Sequence, residues 1–163
     1  MAYPHPGLIT ALRETARRLR EGAYYAWGHH GGCNCGNLVQ VVCELNKETV
    51  LTIAQAQPGE WTEIAEEACS VTHWPLMDIL HRLEELGLTT SDIHHLEYLD
   101  DQYVLRHLPG GFRWLKEHVR EDVILYFETM ALLLEEQAKH IKPVSQPKNI
   151  GQVAREIPEI VAG

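Results

Sequence analysis

At 163 residues, with 45% apolar and 23% charged side chains, the chain is long enough to bury one core without disulfides, and its composition excludes a disordered or fibrous protein. No apolar run approaches the roughly 18 residues of a membrane span, and Met1-Ala2-Tyr3-Pro4-His5-Pro6 lacks the basic and apolar regions of a signal peptide. We therefore expect a cytoplasmic protein with no membrane partner, whose thiols are free or metal-bound. The formal net charge of −9 is uneven: Glu60 to Asp101 holds 11 acidic residues and one basic, Arg82, against 12 acidic and 13 basic elsewhere. Such a block repels phosphate backbones and suits cations or a basic protein partner.

Helical periodicity begins at Gly7, where Ile9, Leu12, Ala16 and Leu19 share a face and Arg13, Arg17, Arg18 and Arg20 fill the other, until Gly22 closes the helix. A glycine-rich loop runs to Gly32. Asn34 is placed to cap a second helix with Leu38, Val41, Val42 and Leu45 inward and Cys43 in the same stripe. Asn46 is placed to cap a third helix reaching Ala56, and Pro58-Gly59 separates it from a fourth over about 60–69. Pro75 opens a fifth through Leu86, stopped by Gly87. Thr90 or Ser91 caps a short helix bearing Asp92, Ile93, His95, Leu96 and Leu99, and Asp101 starts another that ends at Pro109-Gly110-Gly111. A long final helix is expected over about 112–140, with Leu115, Val119, Val123, Phe127, Met130 and Leu134 on one face. Beyond Pro143 periodicity is lost. No segment alternates as a strand would, so the expected fold is all-α: one compact multi-helix domain over 1–142 and an irregular arm over 143–163, with the acidic middle block or the arm after Pro143 as the surface for another protein or for a second copy of the chain in a homodimer.

The stretch Tyr24-Tyr25-Ala26-Trp27-Gly28-His29-His30-Gly31-Gly32-Cys33-Asn34-Cys35-Gly36-Asn37 concentrates the chemistry. A thiol at a helix N-terminus meets unpaired N–H groups and the positive end of the dipole, which favour thiolate. His29, His30, Cys33 and Cys35 together offer nitrogen and sulfur donors suited to zinc, iron or another transition metal, with Asp92 and His95, three apart on one helix face, as the distant pair that completes the set. Trp27 is placed to wall a pocket over the thiols. The alternative is a thiol-dependent, hydrolase-like enzyme with Cys35 as nucleophile and His29 or His95 as base, oriented by Asp92. A third reading is an acidic interaction module without catalysis.

Two local resemblances accompany these motifs. Residues 8–45, through Tyr25-Ala26-Trp27-Gly28 and Cys35-Gly36-Asn37-Leu38-Val39-Gln40, resemble the opening of the NlpC/P60 cysteine peptidases, which implies Cys35 as nucleophile. That family carries its base histidine on a strand and usually an Asp before the cysteine, whereas no strand-like segment follows here and Asn34 stands at that place. Residues 62–88 are similar to a winged helix-turn-helix, but Arg82 alone amid the acids gives it no means to neutralise several phosphates, so no nucleic-acid partner is expected.

Overall fold

The computed structural model describes residues 1–55 and 74–141. The fourth predicted helix and the C-terminal arm lie outside the described residues. Within them the chain forms seven helices and no strand: α1 (Pro6–Arg20), α2 (Asn34–Val42), α3 (Lys47–Gln55), α4 (Trp74–Glu85), α5 (Thr90–Tyr98), α6 (Gln102–Arg106) and α7 (Arg120–His140). The class is all-α, and no described helix is long and apolar enough to cross a membrane.

The framework is an antiparallel pair. α1 buries Leu8, Leu12, Ala16 and Leu19 against α7, which contributes Val123, Tyr126, Phe127, Met130 and Leu134. Arg13 pairs with Glu135 at 2.7 Å and Arg20 with Glu128 at the edge of that seam, which sets its direction and register. α7 spans about 32 Å at 1.5 Å per residue. Burying a side chain the size of Phe127 stabilises the fold by roughly 2–3 kcal/mol, so this seam dominates the core. α2 lies against α1, α3, α4 and α5, while α6 packs on α7 itself.

Local signals account for most helix ends. His5 accepts from Gly7 N–H and Pro6 needs no donor at the first turn. Asn46 accepts from Thr49 N–H at 2.8 Å, and Asp101 from Tyr103 N–H at 2.8 Å. α5 is capped one residue earlier than expected, by Thr89, in a capping box with Asp92. The cap of α2 is Cys33, whose sulfur accepts from Gly36 N–H, and not Asn34. The last helix starts at Arg120 instead of near residue 112. Gly110 and Gly111, at φ of 88° and 91°, turn the chain, and Asp122 accepts from Lys116 N–H at 2.8 Å, which holds 112–119 as a folded-back loop. Leu115 is buried as its anchor, which explains why the apolar period runs on through a segment that is not helical.

Candidate functional site

The Tyr24–Cys33 loop is closed by its own backbone, Ala26 N–H donating to Gly32 and Cys33 N–H to His29. It is then tied down from α2. Asn37 donates through Nδ2 to the Gly32 and Cys33 carbonyls at 2.7 and 3.1 Å, and Gln40 donates to the Gly31 carbonyl at 2.7 Å. These two amides, four and seven residues after Cys33, went unassigned in the sequence. Their spacing, which puts both on the loop-facing side of α2, is the signal that identifies them. Gly36 allows the closest approach, since a Cβ there would lie 2.0 Å from the His30 carbonyl oxygen.

Both thiols of the motif are buried. Cys33 is 2% exposed and directs its S–H at the His30 carbonyl, 3.8 Å away, while accepting from Gly36 N–H. Cys35 is 3% exposed and donates to the Ile93 carbonyl of α5 at 3.5 Å. His29 packs edge-on against Tyr24 with ring centroids 5.4 Å apart, and its buried Nδ1 has no hydrogen-bond partner in the described residues. The backbone of His30 serves the turn. Among the described residues no three His, Cys, Asp or Glu side chains are grouped so as to hold a metal ion.

The structure does bring the loop and the Asp92–His95 helix together. Asn34, fully buried, donates to the Glu97 carbonyl at 2.7 Å and faces the Tyr25 hydroxyl at 2.8 Å; that hydroxyl also meets the Glu117 carbonyl. Burial pushes the Tyr25 phenol well above its ordinary range, so it stays a donor. Trp27, 42% exposed, stands edge-on to Tyr98 at 6.2 Å.

On α5 the two expected partners serve different ends. The Asp92 carboxylate is taken by Thr89 N–H and Oγ1 at 2.8 and 2.7 Å and lies 3.5 Å from the Met1 ammonium. The carboxylate that orients His95 is Asp100, with Oδ1 2.6 Å from Nδ1. His94 Nε2 lies 3.7 Å from the other Asp100 oxygen and its ring is 4.7 Å from Tyr98. The His95 and Asp100 side chains are about one-third exposed, at 33% and 36%. Asp100 reaches back because Leu99 ends α5 in the left-handed conformation, φ 54°, which turns the chain toward the last helical turn. A left-handed leucine carries no sequence signal, so the pairing was not readable beforehand. Two shallow grooves of about 490 Å³ lie elsewhere, one along Pro6, Thr10, Arg13 and Glu135, the other beside Cys43, Ile53 and Ile79.

No protein-family model, curated protein or solved structure matches this chain. The peptidase resemblance therefore stays confined to residues 8–45.

Proposed function

We propose that the working surface is the seam between the Trp27 loop and α5, and that His95, oriented by Asp100, is its general acid–base group acting on a ligand seated against Trp27 and Tyr98. The observation that carries this reading is the 2.6 Å His95–Asp100 pair, about one-third exposed, on the helix whose Tyr98 stands edge-on to Trp27. A carboxylate on Nδ1 fixes the tautomer and leaves Nε2 to exchange a proton with a ligand, the arrangement used when histidine acts as base. Cys33 and Cys35 hold the loop in this reading and do not react.

Turnover of activated carboxylic and phosphoric esters, with His95→Gln and Asp100→Asn compared with the parent, tests it. A general base contributes about 10²–10⁴-fold, so His95→Gln should lose at least the lower figure and Asp100→Asn a smaller part. Equal turnover in parent and His95→Gln removes the reading. So does a fragment library that leaves the Trp27 and His95 resonances unmoved.

A transition metal bound by His29 with Cys33 and Cys35 is the second reading, favoured by the unpartnered buried Nδ1 of His29. It requires the thiols to exchange their carbonyl contacts for the ion. Elemental analysis of untagged protein, before and after zinc reconstitution, decides it, and a content near zero in both sinks it.

A further inference from the structure

Asp100 faces two imidazoles, and general-base chemistry at His95 uses only one of them. Oδ1 lies 2.6 Å from His95 Nδ1, and Oδ2 lies 3.7 Å from His94 Nε2. The carboxylate thus meets the two rings through opposite nitrogens, which leaves Nε2 of His95 and Nδ1 of His94 for other partners. One carboxylate balances one positive charge and not two. Two neutral rings with one added proton are therefore charge-balanced by Asp100, and in that state one imidazole is an acid while the other is a base.

Position divides the two roles. His94 is the ring that links the His95–Asp100 pair to the aromatic side chains: its centroid is 5.7 Å from that of His95 and 4.7 Å from that of Tyr98, which stands edge-on to Trp27 at 6.2 Å. The His94 side chain is 42% exposed and that of His95 33%, so solvent reaches both. Hydrogen bonds of about 2.6–3.2 Å from each ring match a single ester group held between two imidazoles at this separation.

We propose that His94 is the general acid that works opposite His95, and that the substrate is an ester of an apolar, unactivated alcohol whose alcohol part lies toward Tyr98 and Trp27. The inference rests on the acid–base reading of His95. His95 Nε2 takes a proton from water, whose oxygen bonds to the ester carbonyl carbon. The bond from that carbon to the alcohol oxygen breaks, and the electron pair left on that oxygen takes the proton from His94 Nδ1. The products are the acid and the alcohol. The proton gained by one ring equals the proton lost by the other, so the group keeps its charge, and exchange with water restores the starting arrangement.

Hydrolysis of benzyl acetate and p-nitrophenyl acetate by the parent, His94→Gln and His95→Gln tests the proposal. The two leaving groups are similar in size, but nitrophenolate departs without a proton and the benzyl alkoxide does not. His94→Gln should therefore slow the benzyl ester about 10²-fold or more beyond its effect on the nitrophenyl ester, whereas His95→Gln should slow both alike. Urea midpoints equal to the parent's control for folding. A parent that turns over only the nitrophenyl ester, or a His94→Gln variant that changes both rates by the same factor or neither, overturns the role of His94 and leaves His95 as base. If neither ester is turned over, or both are indifferent to His95→Gln, the base reading fails and the acid falls with it.

Discussion

The side-chain amide of Asn34 donates to the main-chain carbonyl of Glu97 at 2.7 Å and, together with the Cys35 contact to the Ile93 carbonyl, ties the buried start of α2 to α5. Its oxygen meanwhile faces the Tyr25 hydroxyl. Both halves of the amide are in use, so neither a carboxylate nor a methyl group can replace it without leaving a buried partner unmatched.

Asn34→Ala should therefore cost about 1–3 kcal/mol in urea unfolding, the penalty for a buried polar group left without its partner. Asn34→Asp should do worse at neutral pH than at pH 4, because the new carboxyl can donate to the Glu97 carbonyl only when protonated. Its folded-state pKa would lie above the unfolded value of about 3.9, so the variant loses stability as pH rises from there. A parental urea midpoint for Asn34→Asp at pH 7 would show that this bond does not matter.

Gly36 offers a test of the loop's packing that is independent of hydrogen bonding. A Cβ there meets the His30 carbonyl oxygen at 2.0 Å and the Gly31 and His30 carbonyl carbons at 2.9 Å. All three are backbone atoms that Asn37, Gln40 and the turn itself hold in place. Gly36→Ala should thus cost more than about 3 kcal/mol or open the loop outright, placing it among the severe single substitutions. Amide exchange at Ala26 and Gly32, whose backbones bond each other, reads the opening directly.

Features that depend on neighbours in sequence were legible, and those that depend on distant partners were not. Asn46 and Asp101 cap where their positions indicate, because a cap needs only the next few N–H groups. Asn34 reads the same way in the sequence, yet its amide goes to Glu97 and the cap passes to Cys33, a choice settled by a carbonyl on another helix. Leu115, Val119 and Val123 keep a helical period across a boundary at Arg120, since a loop anchor and a helix face can bury leucine and valine equally well. At the site, the loop and α5 were both singled out and do meet. The specific carboxylate was missed because the turn at Leu99, not the spacing of Asp92, selects Asp100.

Glu14 gives a pH dependence with a definite sign. Hydrogen bonds from Arg17 and Arg18 lower its carboxyl from the ordinary 4.5 to about 2. A depressed carboxylate adds stability above the unfolded pKa and loses it as pH falls through the folded one. The contribution is complete above about 4.5, declines below it and is gone near 2. Since the group is at the surface, the effect is small and screened by salt. The gap in urea midpoint between the parent and Glu14→Gln should close steadily from pH 6 to pH 2. A gap that stays constant over that range contradicts the assignment.

The thiols separate the structural reading of the loop from the reactive one. Cys33 and Cys35, at 2% and 3% exposure, each direct a hydrogen at a backbone carbonyl, so an electrophile has little access to either sulfur. Cys43 at the end of α2 is half-buried, and burial pushes its thiol above the ordinary 9.0. Iodoacetamide at pH 7 should therefore label all three slowly in the native state. Raising the pH above 9 should speed Cys43 first, while Cys33 and Cys35 should label only on the timescale of opening, with a rate that rises with urea. Counting labelled residues by mass spectrometry over time gives each rate separately. Rapid modification of Cys35 at pH 6 in folded protein would mean that the helix dipole, and not the Ile93 carbonyl, governs its proton, and would favour the nucleophile reading. Slow labelling that a chelator accelerates would instead place a metal on the sulfurs.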